Sequence, residues 1–252
     1  MTLLITGGAS GIGAATARLA AARGHKVAIN YRLRVAEAHT VVADITAKGG
    51  QAVPLQADVS READIVSLFD AAEKALGPIT HLVNSAGIGL NSRVADYDAA
   101  ALEKLFTVNT VGLMLCCREA ARRMSTKRGG KGGVVVNVSS MASTIGGRPG
   151  ASAYAASKAA VDSFTIGFAK DVALEGIRAV SLRPGMIETE MTEKTLANHE
   201  AREAIEATIA MGRVGQVQEV ANAIVWLLSD EASFISGVTL DVSGGGFVFG
   251  QR

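Results

Sequence analysis

Tyr154 and Lys158 stand four positions apart where the pattern predicts a helix over Ser152–Glu175, so their side chains share one helical face. A free phenol ionises near pH ~10 and is a poor acid or base at neutral pH. An ammonium a few ångströms away favours the phenolate and brings that proton into working range. A tyrosine so placed can give a proton to a carbonyl oxygen, or take one from an alcohol. Upstream, the β-rich run Val134–Ser139 leads into a second serine, Ser140. A serine hydroxyl beside the reacting oxygen would orient it and stabilise its developing charge. Alternation points Ser139 and Ser140 to opposite faces, and either is a candidate on position alone. Asn109 lies in the apolar run Leu105–Leu115, where a buried amide needs hydrogen-bond partners.

A second signature sits near the N-terminus. Thr6-Gly7-Gly8-Ala9-Ser10-Gly11-Ile12-Gly13 joins a predicted strand to a predicted helix. Gly7 permits a tight turn, Gly11 lets a pyrophosphate approach the backbone, and Gly13 lets helix and strand pack closely. The first N–H groups of the helix then face an anion, with the helix dipole behind them.

These groups need a scaffold that brings them together. Short apolar β-rich runs recur at Leu3–Thr6, Lys26–Asn30, Ala52–Ala57, His81–Asn84, Val134–Ser139, Arg178–Leu182 and Val238–Asp241. Helical patterns lie between them at Ile12–Arg23, Val35–Lys48, Arg61–Leu76 (with Ser60 as its cap), Ala99–Met124, Ser152–Glu175 and Gln218–Ser229. Strands alternating with helices predict an α/β fold, a doubly wound seven-stranded parallel sheet with helices on both faces. One domain is expected over residues 1–252, with its ligand beyond the carboxyl ends of the strands.

Composition narrows the class further. With 25 Lys+Arg against 24 Asp+Glu, the chain lacks the basic excess of a nucleic-acid binder. At 48% hydrophobic residues it can bury a core without staples. Cys116 and Cys117 are adjacent and read as buried small hydrophobes, not as a disulfide framework. His25, His39, His81 and His199 show no ligand spacing, so no metal site is expected. No apolar run approaches the length of a membrane span and no signal-like N-terminus precedes the first strand, so a cytoplasmic protein is expected.

The glycine loop, with TGxxxGxG spacing, resembles that of the short, single-domain branch of the short-chain dehydrogenase/reductases. The likeness extends to Asn84-Ser85-Ala86-Gly87, Asn109, Asn137-Val138-Ser139-Ser140, Tyr154-Ala155-Ala156-Ser157-Lys158, Pro184-Gly185 and Val242-Ser243-Gly244-Gly245. It implies a catalytic tetrad of Asn109, Ser140, Tyr154 and Lys158, with Asn109 at a helix kink that holds a water beside the lysine. Ser140 precedes Tyr154 by 14 positions and Ser139 by 15, so the loop Met141–Ala153 reads as one residue longer than usual.

The resemblance also implies the cofactor contacts. Gly7, Ser10, Gly11, Ile12 and Gly13 would cradle the pyrophosphate. Asp58 would accept from the adenine amino group, with Val59 against the ring. Asn84, Ala86 and Gly87 would line the adenosine ribose, and Pro184 and Gly185 would pass under the nicotinamide. Ile187 and Thr189 would hold the carboxamide, and Tyr154 and Lys158 would meet the nicotinamide ribose. Two departures stand out: Ser85 replaces a usual asparagine, and Ala179-Val180 stands where Val-Asn is common.

Cofactor choice is read from the end of the second strand, Ile29-Asn30-Tyr31-Arg32-Leu33-Arg34. A carboxylate there would accept from a free ribose 2′-OH, whereas a guanidinium suits a 2′-phosphate. Tyr31 stands where NAD-preferring relatives carry aspartate, and Arg32 follows it. This favours NADP(H) over NAD(H), although Ser10 stands where many NADP-preferring relatives place a basic residue. The expected substrate is a small carbonyl or secondary alcohol, covered by a segment at about 186–214, with Met141, Met186 and Met191 offering apolar surface. Arg148 is a candidate contact for an acidic substrate, though a surface position is the plainer reading. A narrower alternative is a β-ketoacyl-ACP reductase, with Arg122, Arg123, Lys127, Arg128 and Lys131 docking an acidic carrier. A non-catalytic nucleotide-sensing protein on the same fold is the other. Neither nucleic acid nor membrane is an expected partner, and a homotetramer or dimer is expected through the helices Ala99–Met124 and Ser152–Glu175.

Overall fold

A computed structural model describes residues 1–246. The strands are β1 Thr2–Thr6, β2 Lys26–Tyr31, β3 Gln51–Gln56, β4 Ile79–Asn84, β5 Gly133–Val138, β6 Ile177–Pro184 and β7 Thr239–Val242. They form one sheet of order β3-β2-β1-β4-β5-β6-β7, and every neighbouring pair is parallel. The chain winds outward from β1 to β3, then crosses back to place β4 on the other side of β1. That reversal opens a crevice beyond the carboxyl ends of β1 and β4, where the glycine loop sits.

The helices are α1 Gly11–Ala22, α2 Val35–Ala47, α3 Glu62–Leu76, α4 Ala99–Phe106, α5 Leu113–Met124, α6 Ala142–Ile145, α7 Ser152–Val172, α8 Glu190–Leu196, α9 His199–Glu206 and α10 Val217–Leu228. One face of the sheet, through Leu4, Leu82 and Val135, packs against Phe69 of α3, Cys117 of α5 and Val161 of α7. The other, through Ile5, Val83 and Val136, packs against Ala17 of α1, Val41 of α2 and Ile224 of α10. Burial on both faces explains why these strands read as continuous apolar runs. Segment 186–214 carries a small core of its own, Leu196, Ile205, Ile209 and Val214, against which Met186 packs.

Three sequence expectations are corrected. Ser60 does not cap α3: its hydroxyl donates to Asp58 Oδ1 at 2.7 Å, and the helix begins at Glu62 behind Arg61. The helix over Ala99–Met124 is interrupted, because Thr107–Gly112 adopts wider π-type turns. By length and composition alone that 26-residue stretch would suffice to cross a membrane, contrary to the sequence expectation. Its Leu113, Cys116, Cys117, Ala120 and Met124 are instead buried in the core.

Candidate active site

The glycine loop is shaped by close approaches that no side chain would survive. Gly7 has φ +65°, and a Cβ on it would lie 2.8 Å from the Ala86 Cα. A Cβ on Gly13 would lie 2.3 Å from the Gly7 carbonyl oxygen. Ser10 is the N-cap of α1 and makes no side-chain cap bond, so the first N–H groups of the helix remain available to an anion. Across the crevice, Thr189 faces Gly11, its methyl 3.7 Å from where a Cβ would stand. This cradle fits a dinucleotide pyrophosphate. Asn30, which sequence reasoning passed over, ties the cradle to the sheet. It is buried, accepts from the Gly7 N–H at 3.3 Å and donates to the Ala57 carbonyl at 3.0 Å. An isolated polar residue at a strand end was its only signal.

After β3, Asp58 Oδ1 accepts from both the N–H and the hydroxyl of Ser60. Arg32 Nη1 approaches the other carboxylate oxygen at 3.5 Å. Burial raises the Asp58 pKa, but the Ser60 bonds and Arg32 outweigh it and hold the carboxyl below its usual range. Val59 is buried, and its carbonyl lies 2.1 Å from where a Gly112 Cβ would be, so the π-turn seats it. Tyr31 is half-buried at the end of β2. Arg34 pairs with Glu190 at the start of α8 and lies 3.9 Å from Glu37.

Asn84 ends β4 at the sheet's switch point. Its side chain is buried and donates to Asn137 Oδ1 at 2.9 Å, so it braces β4 against β5. Ala86 and Gly87 do border the crevice, with the Ala86 N–H held by the Thr6 hydroxyl at 3.3 Å. Pro184 and Gly185 are pinned from two sides: the Met141 N–H donates to the Pro184 carbonyl, and the Gly185 N–H to the Val242 carbonyl. Ile187 is buried, and its carbonyl accepts from the Thr192 hydroxyl at 2.7 Å, while Thr189 caps α8.

Tyr154, Lys158, Ser140 and Asn109 come together at the same crevice. Helix α7 has no side-chain cap of its own. Tyr97 supplies the missing contact, its hydroxyl accepting from the Ala153 N–H at 3.2 Å and meeting Ser152 Oγ at 2.6 Å. Asn109 is fully buried; its Oδ1 accepts from the Ile88 N–H at 2.8 Å, and its Nδ2 donates to the Ile88 carbonyl and to Ser157 Oγ. Those bonds pull the side chain out of register with a regular helix, and the π-turn accommodates it. Lys158 is buried, with Nζ donating to the Val138 carbonyl at 2.9 Å. A Cβ on Gly87 would sit 3.4 Å from Asn109 Oδ1 and 3.5 Å from Lys158 Nζ, so this glycine keeps the lysine reachable.

The two serines separate. Ser139 is buried and donates to the Lys158 carbonyl at 3.0 Å, which makes it a brace between β5 and α7. Ser140 is half-buried, its Oγ accepts from the Ala142 N–H at 3.1 Å, and its hydroxyl stabilises the ionised Tyr154 phenol. Ser140→Ala should therefore lower turnover at least ~10-fold more than Ser139→Ala, whose effect should appear mainly as lower thermal stability. Steady-state rates and melting curves of the two variants check this, and the opposite ranking would exchange their roles.

The electrostatics correct a further expectation. Burial pushes the Tyr154 phenol above its ordinary value, and the Ser140 hydroxyl pulls it back. Lys158 does not lower it in this arrangement, because the ammonium is turned to the Val138 carbonyl. Burial lowers Lys158 to about 8, offset in part by Asp162. Of the basic cluster, Arg122 and Arg123 are paired with Glu119, and Arg123 also with Asp70, so neither is a free cation for a docking partner. Met191 and Arg148 are exposed, whereas Met141 is buried beside Ser140.

A parallel doubly wound sheet, an anion cradle at its switch point and a buried lysine beside a tyrosine define a nicotinamide-dependent oxidoreductase acting on a CH–OH group. Comparisons with known proteins agree. Residues 7–246 match the family model described as enoyl-(acyl carrier protein) reductase. The chain is 45% identical to the uncharacterized oxidoreductase YgfF of Escherichia coli K12, over 96% of this chain and 98% of that one. It is 38% identical to a chloroplastic NADPH-dependent aldehyde reductase-like protein of Arabidopsis thaliana, over 96% and 92% of the two chains. A solved dehydrogenase/reductase from Sinorhizobium meliloti 1021 superposes with a TM-score of 0.90 at 33% identity, covering 97% of this chain and 94% of that one. The chain belongs to the short-chain dehydrogenase/reductase family.

Proposed function

We propose that the protein is an NADP(H)-dependent reductase or dehydrogenase of small carbonyl and secondary-alcohol substrates, working through Asn109, Ser140, Tyr154 and Lys158. The observation that carries this reading is the meeting of Asn109 and Lys158 beside Gly87, with Tyr154 one helical turn before the lysine and facing Ser140. The nicotinamide, when bound, supplies or accepts the hydride. Ser140 then orients the substrate oxygen and donates to it as charge develops. Tyr154 passes its proton to that oxygen in reduction and recovers it in oxidation. Lys158 holds the ribose hydroxyls. Asn109 keeps the π-turn open for a water that reconnects the lysine to solvent.

For the cofactor, Gly7, Ser10, Gly11, Ile12 and Gly13 hold the pyrophosphate. Asp58 and Val59 take the adenine, and Ala86 and Gly87 flank its ribose. Pro184, Gly185, Ile187 and Thr189 frame the nicotinamide. Tyr31 and Arg32 select the 2′-phosphate. The preference for NADP(H) is supported by the absence of a carboxylate at Tyr31, by the guanidinium at Arg32, and by likeness to the NADPH-dependent aldehyde reductase-like protein of Arabidopsis. The segment about 186–214 covers the substrate. The pairing of Arg122 and Arg123 disfavours the acyl-carrier variant, and a buried tyrosine and lysine beside a serine hydroxyl have no use in a non-catalytic sensor. Two free cysteines fit a reducing, cytoplasmic compartment.

The test is a panel of ketones, aldehydes, sugars and alcohols assayed by nicotinamide absorbance with each cofactor. Turnover of a carbonyl with a preference for NADPH is expected. Tight NADPH binding with no turnover of any panel member would overturn the reading in favour of a sensor. A homotetramer or dimer is also proposed. Val111, Ile166 and Leu174 are exposed on the helices expected to pair across a two-fold axis, Leu174 at 86%. Light scattering should give a multiple of 25.9 kDa at micromolar concentration, and a monomer alone would refute the assembly.

A further inference from the structure

Asp162 lies one helical turn beyond Lys158 on α7, is 5% exposed, and has no place in the chemistry described so far. Its Oδ1 accepts from the Ser181 hydroxyl at 2.7 Å, and its Oδ2 from Arg183 Nε at 2.8 Å. Arg183 in turn reaches Asp241 at 3.4 Å, its register partner on β7. A buried carboxylate is a poor source of stability, since desolvation consumes most of what pairing returns. Its retention calls for another reason.

Charge balance supplies one. Asp241 is 46% exposed and solvated, so Asp162 is the buried charge here, held by Arg183 and lying one helical turn from the buried ammonium of Lys158. The remaining nearby cation is Lys158, whose direct partner is the uncharged Val138 carbonyl. From the other elements, Asn109 of the π-turn and Gly87 after β4 lie beside that ammonium, and both are uncharged. The ionisable groups facing it are Tyr154 and Asp162 on its own helix and, behind Asp162, Arg183 of β6 with Asp241 of β7. Arg183 immediately precedes Pro184-Gly185. The chain therefore also locks α7 to the end of β6 that borders the crevice.

We propose that Asp162 is a positioning residue for Lys158: the Ser181–Asp162–Arg183–Asp241 chain fixes the lysine's helix against β6 and compensates the buried ammonium so that it stays charged. The inference rests on Lys158 having the role proposed above. The Asp162 charge favours the protonated lysine, in the direction opposite to burial. Serine at 181 and arginine at 183 follow the Ala179-Val180 pair that replaces a more usual Val-Asn, so the altered strand provides the partners.

The experiment is an NMR titration of the cofactor-free protein carrying ¹⁵N-lysine, with the Lys158 signal assigned by its loss in Lys158→Met. Asp162→Asn should move the Lys158 midpoint down by about one pH unit or more. Arg183→Gln removes the competing cation and should move it up. A merely structural role would leave both midpoints in place. An unchanged midpoint in Asp162→Asn, or a shift of the same sign in both variants, overturns the proposal. Should Asp162→Asn fail to fold, Arg183→Gln decides alone: an upward shift supports the proposal, and any other result sinks it. Because no turnover is needed, this result is independent of the Tyr154 variant that tests the catalytic reading.

Discussion

Tyr154→Phe is expected to keep the fold and cofactor binding and to lower turnover by about 10²–10⁴-fold or more, the contribution of a general acid or base. The substitution removes one oxygen. The ring keeps its packing, and the backbone carbonyl of residue 154 still accepts from Ser157 Oγ, the contact that helps hold α7 to the π-turn. Ser140 would still approach the substrate oxygen, but no proton would be available along the short path from the phenol. The deficit should appear in kcat and in kcat/KM alike, because the lost interaction belongs to the transition state. NADPH binding followed by fluorescence should remain within a few-fold of wild type. Turnover of a good substrate close to wild type would remove Tyr154 from the acid/base role.

Arg32→Asp is expected to swing the cofactor ratio toward NAD(H) by about a hundredfold in kcat/KM. Loss of the guanidinium deletes a charge-assisted contact to a 2′-phosphate, of the stronger class of hydrogen bond. The new carboxylate adds repulsion against that phosphate and offers an acceptor to a free 2′-OH. Each part is on the order of 1–3 kcal/mol, and every ~1.4 kcal/mol is tenfold. The structure adds a second consequence. Arg32 lies 3.5 Å from Asp58, so reversing its charge places two carboxylates at the adenine end of the crevice. A 2′-phosphate would meet both. The pair is partly exposed, 43% at Arg32 and 24% at Asp58, so its loss should lower stability by no more than about 1 kcal/mol. Arg34 is unlikely to substitute while it pairs with Glu190. The measurement is kcat/KM for NADPH and NADH in both proteins. A wild type that already prefers NADH, or an unchanged ratio, would make Arg32 a bystander.

The sequence exposed much of this site because its chemistry is local. Tyr154 and Lys158 are brought together by one helical turn, and the glycines of the TGxxxGxG loop are demanded by backbone approaches within a few residues. Alternation of strand and helix was legible for the same reason, since burial on both faces makes each strand an apolar run. Ser60 was misread as a cap because its competing acceptor, Asp58, is also local, and no propensity ranks a side-chain acceptor against a helix N–H. Asn84 carried the pattern of a crevice residue but no sign of its cross-strand bond. Only the pairing of β4 with β5 brings Asn137 within 2.9 Å of it.

By itself the sequence determined the parallel α/β fold, the anion loop, and the tyrosine–lysine pair, because periodicity and short-range spacing encode them. Contacts between distant residues decided the rest. Ser139 became a brace and Ser140 the serine facing Tyr154 only when β5 met α7. Asn109 earned its π-turn from Ile88 and Ser157, 21 and 48 positions away. Asp162 gained a partner only when β6 placed Ser181 and Arg183 beside it. A buried polar group is fixed by whichever partner satisfies it, and that partner is set by how the layers pack, not by the neighbours in the chain.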